Sequence, residues 1–306
     1  MDFNGFIEKT QNSIRDFLGE GVKVQVREVT KNNGIMLHGM VILRDGENVS
    51  PTIYLQPFFE EYENGKCFSR IIQEIIGLYE ENKVNADLSF DFFLDYEKVR
   101  GRVFQKIVNY ESNRKMLENL PHIRFFDLAV ICYYAYMNDF LGKGSILIET
   151  GHLDRWGISQ ETLFADAGNN TVNKLGTEIM GVDEMIVEMM SDKLEENDLK
   201  QFSDAIQNAK REVPMYIMTV QGRYFGAVCM YHDEFLQAFA KKCKRNFFIL
   251  PSSIHELILI PDSGRERQEE LKKMVQEVNE GHVAPEERLS DNVYYFDILQ
   301  NKILLL

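Results

Sequence analysis

Asn246 to Asp262 reads NFFILPSSIHELILIPD: two short apolar runs, Phe247–Leu250 and Leu257–Ile260, around the polar knot Pro251-Ser252-Ser253-Ile254-His255-Glu256. Each run is bulky, brief and bounded by turn residues, the pattern of a buried strand. The stretch therefore predicts two strands flanking a bend, with Phe247, Ile249, Leu257 and Leu259 in alternation on a sheet. Pro251 cannot donate a ladder hydrogen bond, so regular pairing must break there. Ser252 and Ser253 then supply the local acceptors that a bend needs.

Upstream of it, Met215–Val220 reads as a strand, Gln221-Gly222-Arg223 as a turn, and Tyr224–Tyr231 as a strand pairing back. Phe235–Cys243 follows as a helix with Phe235, Leu236, Phe239 and Ala240 inward. Arg265–Asn279 reads as a charged helix, and Asn292–Ile298 as a last strand.

The N-terminal end has its own pattern. Phe3, Phe6, Ile7, Ile14, Phe17 and Leu18 recur at helical spacing before Gly19 and Gly21. Val22, Val24 and Val26 alternate with polar residues. Asn33-Gly34 and Asp45-Gly46 are hairpin signals on either side of Ile35–Leu43, and a third strand ends at Leu55. Phe68–Tyr79 then spaces six apolar residues on one helical face. These elements predict an α-β-β-β-α unit over residues 1–84, with the polar run Glu80–Asp87 as its junction to a larger domain over 85–306.

In that domain Phe90–Val99 and Ser112–Leu120 read as helical, and Val103–Tyr110 fits either strand or helix. Phe125–Met137 (FFDLAVICYYAYM) reads as one central strand. Gly142 and Gly144 suggest a turn into a strand at Ser145–Thr150. Ser159 begins a helix, and Gly181–Met190 and Asp198–Lys210 read as two more. A strand pair followed by a turn and a helix recurs around Ile35–Tyr79, Phe125–Leu175 and Met215–Cys243. The expected class is α+β on antiparallel sheets.

Composition narrows the function classes. The 306 residues are 44% hydrophobic and 27% charged, as in an ordinary globular chain. Thirty-four basic against 48 acidic residues give a net charge of −14, which opposes binding to phosphate backbones or anionic membranes. No apolar run approaches the ~20 residues of a membrane span. The start, MDFNGFIEKTQ, lacks the basic and apolar segments of a secretory signal. Cys67, Cys132, Cys229 and Cys243 form no C-x-x-C pair, so reduced thiols and a cytoplasmic location are expected, with Cys132 and Cys229 buried.

Ser253, His255 and Glu256 are the residue types of a hydrolytic site, in which a base activates a hydroxyl and an acid orients the base. Their spacing is poor for that chemistry, and the G-x-S-x-G elbow is missing. The simpler reading is a capping-box-like turn between Ser253 and Glu256. Asp127, inside an apolar run, is either catalytic or paired with Arg124. His232-Asp233-Glu234 offers metal ligands or the polar start of a helix. The six histidines show no H-E-x-x-H spacing. Gly142-Lys143-Gly144-Ser145 lacks the upstream glycine of a phosphate loop, and Lys241–Arg245 fits a helix C-terminus. No cofactor and no metal is expected.

The segment ILPSSIHELILIPD, preceded by MYIMTVQGRYFGAVCMY, resembles a bacterial family of unknown function, domain of unknown function 5688. VNYESNRKMLENLPHIRFFDLAVICYY, HLDRWGISQETLFADAGNN and LSDNVYYF carry the resemblance further. Trp156–Leu163 is also similar to a second uncharacterised family of bacillus-type bacteria. The resemblance implies an intracellular bacterial protein of gut-type anaerobes, often encoded near mobile elements, and transfers no catalytic residue. The leading expectation is a non-enzymatic binding or regulatory protein acting through protein–protein contacts, and the alternative is a hydrolase using Ser253, His255 and Glu256. An acidic DNA mimic would need carboxylates arrayed on one face, whereas here they alternate with Lys and Arg, as at Glu266-Arg267.

Overall fold

The computed structural model describes residues 1–46, 50–82, 93–138, 142–191, 193–208 and 214–306. The chain divides into two units, Met1–Val99 with Tyr134–Ile146, and Arg100–Tyr133 with Leu147–Leu306.

In the first unit the Asp2 carboxylate accepts the Gly5 amide at 2.9 Å and starts α1, Phe3–Leu18. Gly19, at φ 81°, ends it by donating its amide to the Arg15 carbonyl. Three antiparallel strands follow: β1 (Val22–Thr30), β2 (Met36–Arg44) and β3 (Thr52–Tyr54). Asn33 and Gly34 both take positive φ, 60° and 70°, as an Asn-Gly turn requires. The loop is longer than two residues, because the Lys31 amide bonds the Ile35 carbonyl beyond the ladder. Gly46 is also at positive φ, while residues 47–49 lie outside the described residues.

A helix that periodicity missed, α2 (Gln56–Glu63), has a proline in its first turn and leans Phe58, Phe59 and Tyr62 on the core. Helix α3 (Phe68–Asn82) buries Ile71, Ile72, Ile75, Ile76 and Tyr79 against Phe6, Ile14, Val24, Met40 and Ile42. Glu80–Asn82 of the expected junction are the end of α3, and the rest of that junction and the start of the expected Phe90–Val99 helix, residues 83–92, lie outside the described residues. A short helix α4 covers Tyr96–Val99.

The first strand of the second unit is β4, Val103–Asn109, which settles that segment as strand. A short helix α5 (Arg114–Leu117) precedes β5 (His122–Phe125) and β6 (Leu128–Asn138). The single strand expected over Phe125–Met137 is instead a hairpin. Phe125 pairs with Leu128, and Phe126 takes φ 56° at the tip. Asp127 is therefore a turn residue, not a strand residue. Strand β7 (Gly142–Leu147), which up to Ile146 belongs with Tyr134–Asn138 of β6 to the first unit, contains Gly142 and Gly144, which do not form the expected turn; residues 139–141 lie outside the described residues. The sheet order is β4-β6-β5, with β7 on β6.

Helices α6 (Thr150–Trp156) and α7 (Gln160–Asn170) follow, the Ser159 hydroxyl capping α7 by accepting the Thr162 amide. Thereafter come β8 (Glu178–Gly181), α8 (Val182–Ser191), α9 (Glu196–Asn208), β9 (Tyr216–Thr219) and α10 (Asp233–Cys243). Residues 209–210, the expected end of α9, lie outside the described residues. Strands β10 (Phe247–Leu250) and β11 (Leu257–Pro261), helix α11 (Gln268–His282), and strands β12 (Tyr294–Asp297) and β13 (Lys302–Leu305) complete the chain. The expected last strand is thus followed by another.

The opening stretch is the centre of a six-stranded antiparallel sheet, β13-β12-β10-β11-β9-β8. Alternation puts Phe248 and Leu250 against Leu271 and Val275 of α11. Phe247 meets Phe239 of α10 edge to face at 4.8 Å. The predicted class, α+β on antiparallel sheets, is the class observed.

One strand is corrected. Tyr224–Tyr231 does not pair back: Gly226–Tyr231 forms a 3-10 helix with Gly226 to Met230 all buried. An apolar run buried on every side has no periodicity to separate strand from helix.

Candidate functional site

The backbone of the knot is bonded on both sides. Pro251 and Ser252 carbonyls accept the Ser290 and Leu289 amides at 3.0 Å, and the Ile254 amide donates to the Glu287 carbonyl at 2.9 Å. On the other side the Ile254 carbonyl accepts the Ala227 amide at 3.3 Å, and the His255 carbonyl accepts the Thr219 hydroxyl at 2.8 Å. The bend thus sits between the Ala284–Ser290 segment and the 3-10 helix, with Ser252 and Ser253 buried.

The side chains turn inward on the same scaffold. Ser253 Oγ accepts the His255 amide at 3.0 Å, a local turn of the kind Ser favours. His255 Nδ1 accepts the Phe225 amide at 3.2 Å, so the ring proton belongs on Nε2, which faces Glu287 Oε1 at 3.5 Å. The imidazole stacks on the Phe225 ring at 5.6 Å and 8°, and tilts against Tyr224 at 5.1 Å. Lys106 on β4 is 8% exposed and places Nζ 4.0 Å from the centre of the Phe225 ring. Tyr133 on β6 meets that ring edge-on at 5.1 Å. Burial raises the Glu256 carboxyl above its usual range. Glu287 pushes it the same way, while Ser253 and His255 oppose the shift.

Ser253, His255 and Glu256 are therefore brought together with Tyr224, Phe225, Lys106, Tyr133 and Glu287, which the sequence reading did not single out. The clearest available signal was Lys106, a lysine sharing a strand face with Phe104 and Val108. The hydroxyl and the imidazole of the knot point to different partners, whereas a nucleophile–base pair needs them hydrogen-bonded to each other.

Asp127 is elsewhere, at the β5–β6 turn. Its carboxylate accepts Ser290 Oγ at 2.7 Å, Asn292 Nδ2 at 3.0 Å and the Tyr294 hydroxyl. Arg124, its expected partner, instead donates Nε to the Phe126 carbonyl at 3.2 Å and lies over the Tyr110 ring.

His232 precedes α10 and is 9% exposed, with Nε2 unpartnered among the described residues. Burial holds its pKa below the ordinary 6.5, against the opposing pull of Glu234 and Asp233. Its contribution to stability is complete above the unfolded-state pKa and is lost as pH falls through the depressed folded value. The urea midpoint should fall between pH 7.5 and 5.5, and His232→Gln should flatten that decline.

All four cysteines are free, and Cys132 and Cys229 are buried, their thiols pushed upward by desolvation, Cys229 to about 12. Cys67 is exposed, and hydrogen bonds from the Ser69 side chain and from the Ser69 and Arg70 amides lower its pKa. A small thiol reagent should label Cys67 first and leave Cys132 and Cys229 unlabelled in the native protein; rapid labelling of both would contradict this packing.

A cleft of about 510 Å³ lies among α8, α9 and β9, lined by Asp183, Glu184, Val187, Ser203 and Met215. It is not lined by Ser253, His255 or Glu256. Among the described residues no group of three or more His, Cys, Asp or Glu side chains is placed to hold a metal ion, and no helix is long and apolar enough to cross a membrane.

The model of a family of unknown function, DUF5688, matches residues 3–298 of the chain. No curated protein and no solved structure matches it.

Proposed function

The chain belongs to DUF5688, and we propose that it acts in the cytoplasm as a non-enzymatic binding or regulatory protein, through protein–protein contacts. The observation that carries this reading is how the polar knot is used. Ser253 Oγ accepts the His255 amide, and His255 Nδ1 accepts the Phe225 amide, so both groups hold local backbone. The surface supports a protein partner. Strand β13 is an edge strand exposing Leu304 and Leu305, and Leu299 at the preceding turn is 92% exposed.

The rival hydrolase draws on one observation, the raised Glu256 carboxyl beside His255. A serine-directed fluorophosphonate probe separates the two readings. The binding reading expects the parent to remain unlabelled and Ser253→Ala to lose roughly 0.5–2 kcal/mol, the range for a lost capping hydroxyl. Labelling of the parent, abolished in Ser253→Ala without loss of stability, would make the protein a hydrolase. For the partner, affinity capture from the native host should recover a stoichiometric protein that Leu304→Lys releases. Recovery undiminished by that variant would remove the β13 edge from the account.

A further inference from the structure

Cations gather at one end of the central sheet without counter-charges. Lys241, Lys242, Lys244 and Arg245 lie at the end of α10 and in its link to β10, Lys302 opens β13, and all are exposed. Among the described residues none of them pairs with a carboxylate, in a chain whose net charge is −14. Lys241 and Lys242 offset the negative end of the α10 dipole, and Lys242 lies over the Tyr216 ring at 5.3 Å. Lys244, Arg245 and Lys302 lie outside that helix, so the dipole does not account for them. Two side-chain bonds fix where the cluster stands. Gln237 Nε2 donates to Asn301 Oδ1 at 3.3 Å, and Asn246 Oδ1 accepts the Ile298 amide at 3.0 Å. Lys241 is one helical turn beyond Gln237, and Arg245 adjoins Asn246, so the cations flank the β12–β13 turn that carries Leu299.

We propose that the β13 edge takes up an extended acidic segment of a partner protein as a further strand, with the segment's carboxylates on this cation cluster. The inference rests on the reading of the chain as a binding protein and adds the chemistry of the partner. Among the described residues β13 pairs only with β12. The Leu306 amide donates to the Val293 carbonyl, so alternation turns the amide and carbonyl of Ile303 and Leu305 away from β12. Those groups are the row that an incoming strand would bond. Leu304 and Leu305, 45% and 41% exposed, offer it apolar contact.

Charge selects among the possible occupants. The nearest carboxylates are committed elsewhere: Asp297 accepts the Leu299 and Gln300 amides within the turn, and Asp262 accepts the Tyr295 hydroxyl. The cluster therefore lacks a counter-charge that an acidic segment would supply. A second copy of the chain would bring its own β13, which carries Lys302 and no carboxylate. An anionic membrane or a phosphate backbone spreads over many ångströms and would meet the rest of an acidic surface. A single strand meets only what lies within about one Debye length, roughly 8 Å, and there the cations dominate.

A fluorescent peptide of about eight residues alternating Glu and Val, the period of a strand, tests the edge on the intact protein. It should bind, more weakly as salt is raised, and a peptide alternating Lys and Val should not. Lys244→Glu with Arg245→Glu, both exposed, should weaken binding at least about tenfold. Leu305→Pro removes an amide that β12 does not use and should abolish binding. Should that variant fail to fold, hydrogen exchange followed by NMR reads the same bond in the parent: the Ile303 and Leu305 amides should gain protection when the acidic peptide is added. No binding at about 1 mM peptide, equal binding of the Lys-Val peptide, affinity unchanged by the charge reversal, or amides left unprotected would each overturn the proposal. Co-sedimentation of the parent with phosphatidylserine vesicles, lost on the same charge reversal, would also overturn it and make the cluster a membrane contact. A host protein retained undiminished by the charge-reversed variant overturns this inference and leaves the binding reading standing. That reading fails separately, through fluorophosphonate labelling of Ser253.

Discussion

Gly226→Ala is expected to destabilise the protein by about 3 kcal/mol, the upper part of the range for overpacking a filled interior. A Cβ at this position would lie 2.6 Å from the His255 carbonyl oxygen and 2.6 Å from the Val220 amide nitrogen, and would overlap the Thr219 hydroxyl. Two of these are backbone atoms that cannot rotate away. The third is tied by its 2.8 Å bond to the His255 carbonyl. Relief would have to move the 3-10 helix away from the bend and the end of β9, breaking the bond from the Ala227 amide to the Ile254 carbonyl.

Gly77→Ala is the matched control. It lies within α3, where an added Cβ meets nothing within 4 Å, and alanine there should stabilise by roughly 0.5–1 kcal/mol through helix propensity. Urea midpoints of the two variants should therefore move in opposite directions. A Gly226→Ala midpoint close to the parent's would mean that the 3-10 helix packs less tightly on the bend than described.

The same position shows where sequence reasoning reaches and where it stops. The N-terminal unit was legible because each signal is local: valines alternating in β1, an Asn-Gly turn at positive φ, and isoleucines repeating along α3. The pair β10 and β11 was legible for the same reason, two bulky runs around a proline. Tyr224–Tyr231 was not, since a segment buried on all sides carries no polar residues to mark its period. The β5–β6 hairpin escaped because its tip is Phe126-Asp127 rather than a turn pair such as Asn-Gly, and Phe126 takes its positive φ beside a residue distant in sequence, its ring meeting that of Tyr294 at 5.6 Å. The knot's unusual chemistry was visible in Ser253, His255 and Glu256. Its meaning was not, because His255 is bonded to an amide 30 residues away and faces a carboxylate 32 residues on.

Asp127→Ala is expected to cost about 3 kcal/mol, near the upper end for a hydrogen-bonded charged group whose partners are left unsatisfied. Three donors converge on this one carboxylate from Ser290, Asn292 and Tyr294, more than 160 residues further along the chain. Ser290 Oγ also accepts the Asn292 amide at 3.0 Å, and Asn279 Nδ2 donates to the Ser290 carbonyl, so the carboxylate anchors a network that reaches α11. Tyr294 is fully buried, and burial and Asp127 together push its phenol pKa upward. Removing the carboxylate leaves that hydroxyl in the interior with no charged acceptor. A double-mutant cycle with Tyr294→Phe reads the coupling directly: the two losses should fall short of additivity by at least about 1 kcal/mol, as for groups sharing one network. Asp127→Asn, which keeps one acceptor oxygen, should lie between parent and Asp127→Ala. Strict additivity, or an Asp127→Ala variant as stable as the parent, would show that the turn is held by its ladder bonds alone, and would leave the carboxylate free for a role in binding.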